Sequence, residues 1–122
     1  MKMEGDISLF LAIEKMMQER MFVHQGKLVV KDEDIAAIYD VTLTDLRLKI
    51  RKNISRFPSD FMIEIDGGEY ALTEPGILMV GGLLRSDRAR RAHMQFIEYF
   101  VHLMHGNGVS VFDLIKTRKN EL

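Results

Sequence analysis

Arg47, Lys49, Arg51, Lys52 and Arg56 place five basic side chains in ten residues, running up to Phe57-Pro58. The chemistry open to such a run is anion binding. Guanidinium and ammonium groups meet phosphate oxygens or guanine edges, while Thr, Ser and Asn hydrogen-bond to either. Over 122 residues, 17 Lys and Arg stand against 18 Asp and Glu, so the clustering is local rather than a bias of composition. Whether the run reads DNA or forms a solvated charged face depends on which side of an element carries it.

Thr42 can cap a helix from Leu43 to about Ser55, which must stop before Pro58 because the residue preceding proline avoids helical dihedrals. On a helical wheel Leu43, Leu46, Ile50, Ile54 and the trailing Phe57 share one arc, which faces the core. Lys49, Lys52 and Arg56 lie opposite, with Thr44, Asp45, Leu48 and Ser55 between them, Arg51 at the edge and Arg47 near the core boundary. Asp32 is expected to cap a short helix from Glu33 to Tyr39. Only Asp40-Val41 separates that helix from the cap of the next, and two helices joined so tightly form a helix-turn-helix candidate. Lys49, Lys52 and Arg56 are the first expected DNA contacts, followed by Arg51 and Asn53, with Thr44 and Ser55 beside them.

Flanking elements must hold this pair. Asp6 is expected to cap a helix from Ile7 to Glu19, with Ile7, Phe10, Ile13 and Met17 on one stripe and Leu9, Leu11 and Met16 widening it. Met21 to His24 and Leu28 to Val30, joined by Gln25-Gly26, read as a hairpin, and Phe61 to Ile65 and Glu69 to Leu72 around Asp66-Gly67-Gly68 as a second. Helix, helix, hairpin predicts a winged arrangement. Thr73 is expected to cap a helix that takes Pro75 in its first turn and ends near Gly81-Gly82. Ser86 opens the longest helix, Asp87 to about His105, closed by Gly106-Asn107-Gly108. A short helix around Asp113 to Thr117 and the basic tail Lys116 to Lys119 complete an α+β chain. Its segments are an N-terminal helix (1–19), the candidate DNA-binding unit (20–105) and the C-terminal stretch (106–122).

Several blocks together resemble a known family. Gln25-Gly26-Lys27, the run Asp34 to Val41, and Arg51-Lys52-Asn53-Ile54-Ser55-Arg56-Phe57-Pro58-Ser59-Asp60-Phe61 are similar to the phage-type DNA-binding module related to KilA-N, the open-reading-frame-six N-terminal domain. Tyr70 to Ile77 and Leu84 to Ala89 match its later blocks, so the resemblance spans roughly residues 20 to 105. The resemblance implies a bacterial, phage or mobile-element protein that binds duplex DNA through this module, often joined to a variable C-terminal domain. It marks Arg51, Asn53, Arg56, Phe57, Pro58, Asp60 and Phe61 as pattern residues without assigning their roles. Physically, Phe57, Pro58 and Phe61 turn the chain and plug the core, and Asp60 caps or pairs with a nearby base such as Arg56.

Arg85, Arg88, Arg90 and Arg91 form a second basic cluster against Asp87. Either these residues reach flanking phosphates, or their unfavourable place at a helix N-terminus is compensated by the acidic hairpin tip or by Asp32 to Asp34. Glu64, Asp66 and Glu69 at that tip would repel phosphate, which argues against a wing gripping the backbone. Along the long helix Ala89, Ala92, Phe96, Ile97, Tyr99, Phe100, Leu103 and Met104 cover a broad arc, with Met94 and Val101 beyond it. The arc serves core packing or, with the apolar N-terminal helix, a homodimer that pairs two recognition helices.

His102 and His105 are spaced to bridge a metal but have no third ligand, and no metal or cofactor is expected. The Gly pairs lack the pattern of a phosphate loop. No cysteine is present, so thiol chemistry and disulfides are excluded. The apolar runs Ile7 to Ile13 and Gly76 to Leu84 are too short to span a bilayer and no signal-peptide pattern is seen, giving a cytoplasmic expectation. No nucleophile and base pair can be named, so catalysis is not expected. Two functions compete: a regulator or antirepressor-like DNA binder, and a protein-interaction module using acidic and Met-rich apolar surfaces.

Overall fold

Val30, Leu72 and Met62 stand in one row of a four-stranded antiparallel sheet, and that row joins the two hairpins of the chain. The computed structural model describes residues 3–107, and the side chains of residues 7–102. In chain order the elements are α1 (Met3–Arg20), β1 (Phe22–His24), β2 (Lys27–Lys31), α2 (Asp32–Tyr39), α3 (Leu43–Lys52), a 3-10 turn (Ile54–Arg56), β3 (Met62–Ile65), β4 (Glu69–Leu72), α4 (Glu74–Leu83) and α5 (Asp87–Asn107). The architecture is α+β.

Both hairpins expected from the sequence form, and β2 also pairs with β4, so the strand order is β1-β2-β4-β3. Side-chain alternation accounts for the merger. Leu28 and Val30 of β2, Tyr70 and Leu72 of β4 and Met62 of β3 all enter one core, so pairing the hairpins buries a continuous apolar face under the helices. The other face keeps a smaller cluster of Val29, Ile63 and Ala71 with Phe22 and Ile65 against it. Gln25 and Gly26 turn the first hairpin with positive φ values of 52° and 78°, the hand that matches strand twist.

All five described helices feed the main core. Ile13 and Met17 of α1, Ile35 of α2, Leu46 and Ile50 of α3, Ile77 of α4 and Phe96 of α5 are fully buried in it. α1 and α5 pack along each other, with Phe10 meeting Tyr99 edge to face at 5.7 Å between centroids. The apolar arc of α5 is thereby covered from within the chain at Ala89, Ala92, Phe96, Tyr99 and Phe100. Tyr39 donates to the Ile77 carbonyl at 3.0 Å, tying α2 to α4, and burial pushes its phenol well above the ordinary range.

Several boundaries differ from expectation. α1 is already helical at Met3, so Asp6 lies within the helix rather than capping it. Ile7 and Leu11 are 49% and 54% exposed, because the core takes only the Leu9, Ile13, Met16 and Met17 side of a wide apolar stripe. Ser86 does open α5, its Oγ accepting from the Ala89 N–H at 3.0 Å, but the helix takes in Gly106 instead of ending there. The expected C-terminal short helix and basic tail lie outside the described residues, as does the side chain of His105. No helix of the described residues is long and apolar enough to cross a membrane.

Candidate nucleic-acid interface

Thr42 starts α3: its extended backbone ends β-like, and its Oγ1 accepts from the Asp45 N–H at 3.0 Å. Two residues earlier Asp40 adopts the left-handed conformation (φ 60°, ψ 48°) and closes α2. Between them these residues end α2 and begin α3 within three residues. Leu46 and Ile50 anchor α3 in the core, while Thr44, Asp45, Leu48, Arg51 and Lys52 are exposed and Lys49 is half-buried.

The helix stops at Lys52, earlier than the expected Ser55. Asn53 Nδ2 donates to the Lys49 carbonyl at 2.9 Å, and the chain tightens into the 3-10 turn that carries Ser55 and Arg56, both exposed. A tighter turn advances each residue further around the axis than an α-helix does, which swings Ile54 off the apolar arc. Ile54 is accordingly 52% exposed, whereas Phe57 returns to the core at 6%. Asn53 is half-buried, with its amide spent on ending α3.

Asp32 does not act as the expected cap. It is the first residue of α2, is fully buried, and grips Arg47 of α3 at 2.7 Å (Nε) and 3.3 Å (Nη2). Its Oδ2 also accepts from the Tyr70 N–H of β4 at 3.0 Å. A buried carboxylate needs partners for its lone pairs, and a bidentate guanidinium plus a backbone amide supplies them. The hydrogen bond to Asp32, first of all, holds the Arg47 guanidinium above its ordinary range. Arg47 is therefore withdrawn from the basic face, and α3 is fixed to both α2 and the sheet.

Below Arg56 the turn Phe57 to Phe61 is fastened from two sides. Lys27, beside the first hairpin turn, donates to the Ser59 carbonyl at 2.8 Å and pairs with Asp60 at 3.3 Å, so Asp60 meets Lys27 and not Arg56. Thr73 makes no side-chain cap for α4; its hydroxyl donates to the carbonyls of Asp60 at 2.6 Å and Phe61 at 3.1 Å. The Phe61 carbonyl lies so close to Gly76 that a Cβ there would collide with it. The separate sequence blocks around Gly26-Lys27, Phe57 to Phe61 and Thr73 to Gly76 thus form one joint in space.

The charges divide into paired and unpaired. Arg20 meets Asp34 at 3.1 Å and Glu33 at 4.0 Å, and Lys31 meets Glu69 at 3.8 Å. Of the expected partners of the second basic cluster, Asp32, Glu33, Asp34 and Glu69 are engaged elsewhere, while Glu64 and Asp66 at the hairpin tip make no ion pair with a described residue. Arg90 pairs with Asp87. Lys49, Arg51, Lys52, Arg56, Arg85, Arg88 and Arg91 make no ion pair with a described residue. Lys49, Arg51 and Lys52 sit in the last turn of α3, where the helix dipole favours cations. No such benefit reaches the arginines at the start of α5.

A groove of about 300 Å³ is lined by Val41, Asp45, Leu48, Lys49 and Lys52 on one side and by Leu84, at the end of α4, on the other. This juxtaposition was not legible in the sequence, because it depends on how α4 returns the chain to α3. Of the residues expected at the site, Thr44, Arg51, Lys52, Ser55 and Arg56 are exposed and Lys49 is half-exposed; Lys49 and Lys52 line this groove.

Comparison with curated proteins and with solved structures finds no match. A family model does match, over residues 19–96, from the end of α1 to the middle of α5. That span takes in the sheet, α2, α3, the joint below Arg56 and α4, and the chain belongs to the ORF6N domain family, a phage-type domain.

Proposed function

We propose that this chain is a non-catalytic duplex-DNA-binding protein, a regulator or antirepressor-like component of phage or mobile-element origin acting in the bacterial cytoplasm. One observation carries the reading. In a chain of net charge −1, Lys49, Arg51, Lys52 and Arg56 follow one another along the end of α3 and the 3-10 turn and make no ion pair with a described residue, while Asp32, Glu33, Asp34 and Glu69 are committed to other partners. Uncompensated positive charge on neighbouring elements is the electrostatic footprint expected of a phosphate-binding surface.

In this reading α2 and α3 act as a helix-turn-helix and α3 enters the major groove. Lys49, Lys52 and Arg56 make the principal contacts, with Arg51, Thr44 and Ser55 around them. Asn53 holds the end of α3 in place. The β3–β4 hairpin, with Glu64 and Asp66 exposed, stays off the backbone. A homodimer would set two α3 helices on successive half-sites, and the exposed apolar residues Ile7, Leu11, Met94 and Val101 of α1 and α5 are the surface we assign to it.

The test is fluorescence anisotropy with a pool of random duplex DNA across a salt series. We expect affinity to fall steeply with salt. Replacing Lys49, Lys52 and Arg56 together by Ala removes three phosphate contacts and should flatten the log–log salt slope by about 2.7. An unchanged slope in the triple variant would move the site elsewhere, and no binding at low salt would overturn the function. Sedimentation of the same samples, with and without DNA, reads the dimer.

A further inference from the structure

From Pro75 to Leu84 the chain carries ten residues without a charge, yet α4 is not surrounded. Gly76, Ile77, Val80, Gly81 and Leu84 face the interior. The remaining side is open, and a helix at a surface ordinarily places charged or polar residues there. Instead Pro75, Leu78, Met79 and Leu83 line a cleft of about 370 Å³, with Phe61 and Arg56 as its far wall. Arg56 supplies its one charged lining group and pairs with no described carboxylate.

We propose that this cleft is a docking groove for an acidic amphipathic segment of a partner protein, with apolar side chains on α4 and a carboxylate on Arg56. Charge complementarity selects the partner's sign. The single guanidinium stands at an apolar surface, where a charge-assisted bond to a carboxylate is stronger than in open water. Form selects a segment over an enclosed small molecule, because the cleft runs open between an α-helix and a neighbouring turn, as helix-in-groove sites do. Gly82 adds to the opening: it is exposed, and a Cβ placed on it meets nothing nearer than His93 at 3.9 Å. The cleft shares no lining residue with the groove of Lys49 and Lys52.

Gly82 also supplies a clean test. Gly82→Leu fills the cleft without crowding the core and replaces a glycine inside a helix, so the fold is kept. The probe is a phage-displayed library of short peptides with two apolar anchors one helical turn apart and all other positions random. Selected peptides are then titrated into the ¹⁵N-labelled full chain. We expect enrichment of Glu and Asp beside the anchors and amide shifts centred on Arg56 and α4. Gly82→Leu should weaken binding at least about tenfold, and Arg56→Gln should remove the acidic preference. The proposal fails if no acidic peptide is enriched or if shifts centre elsewhere. It also fails if Gly82→Leu abolishes a dimer seen by sedimentation, since the occupant is then a second copy. Gly82→Leu is expected to bind DNA as the parent does, so this test and the DNA test fail separately.

Discussion

Arg47 and Lys49 stand two residues apart on α3, yet one is committed to the fold and the other is free. Arg47 closes a network with buried Asp32 and the Tyr70 amide, whereas Lys49 makes no ion pair with a described residue. The difference predicts opposite outcomes. Arg47→Met strands a carboxylate in the interior and should cost about 3 kcal/mol in urea unfolding, the low end for a broken buried pair because the Arg47 side chain is 24% exposed. Lys52→Met should stay within about 0.5 kcal/mol, since nothing described is lost with it. Composition cannot separate these residues, and helical position barely does. What decides is the seam where β2 runs straight into α2, which carries Asp32 under α3 instead of leaving it at a solvated helix start.

At the scale of elements, glycine positions discriminate where side-chain patterns do not. Gly76→Ala would drive a methyl into the Phe61 carbonyl, a backbone atom that cannot rotate away, and should lower stability by about 3 kcal/mol in thermal or urea unfolding. Gly82→Ala, with open space around it, should instead stabilise by about 0.5 to 1 kcal/mol. α3 and α5 were legible from sequence because cap and periodicity agree: Thr42 with Leu46 and Ile50, Ser86 with Ala89, Ala92 and Phe96. The end of α3 was not, because Asn53 bonds backward to Lys49 and a wheel drawn at constant pitch carries Ile54 into the core. Thr73 misled for a related reason, since its hydroxyl bridges to a turn twelve and thirteen residues away. The exposed basic side chains of the candidate site were readable; the groove that Lys49 and Lys52 form with Leu84 was a property of the tertiary fold.

For the whole molecule, α1, the inner sheet face and α5 share one core, although α1 lies outside the matched family span except at its end. Unfolding should therefore be a single event. Far-UV circular dichroism and tyrosine fluorescence are expected to give the same urea midpoint, and an early loss of helix alone would show α1 to be a separate unit. The pairing of β2 with β4 has one more consequence. The chain leaves the sheet after β2 and rejoins it at β3, two strands across in the same row, a gap of about 10 Å. Everything from α2 to the 3-10 turn is hung on that narrow gap, like a cassette in a frame. A different helix pair of equal end separation, keeping the inward-facing residues, could be spliced into the same frame, and closing a longer insert would cost little more because that cost grows only logarithmically with length. What the cassette recognises can then change while the scaffold stays as it is.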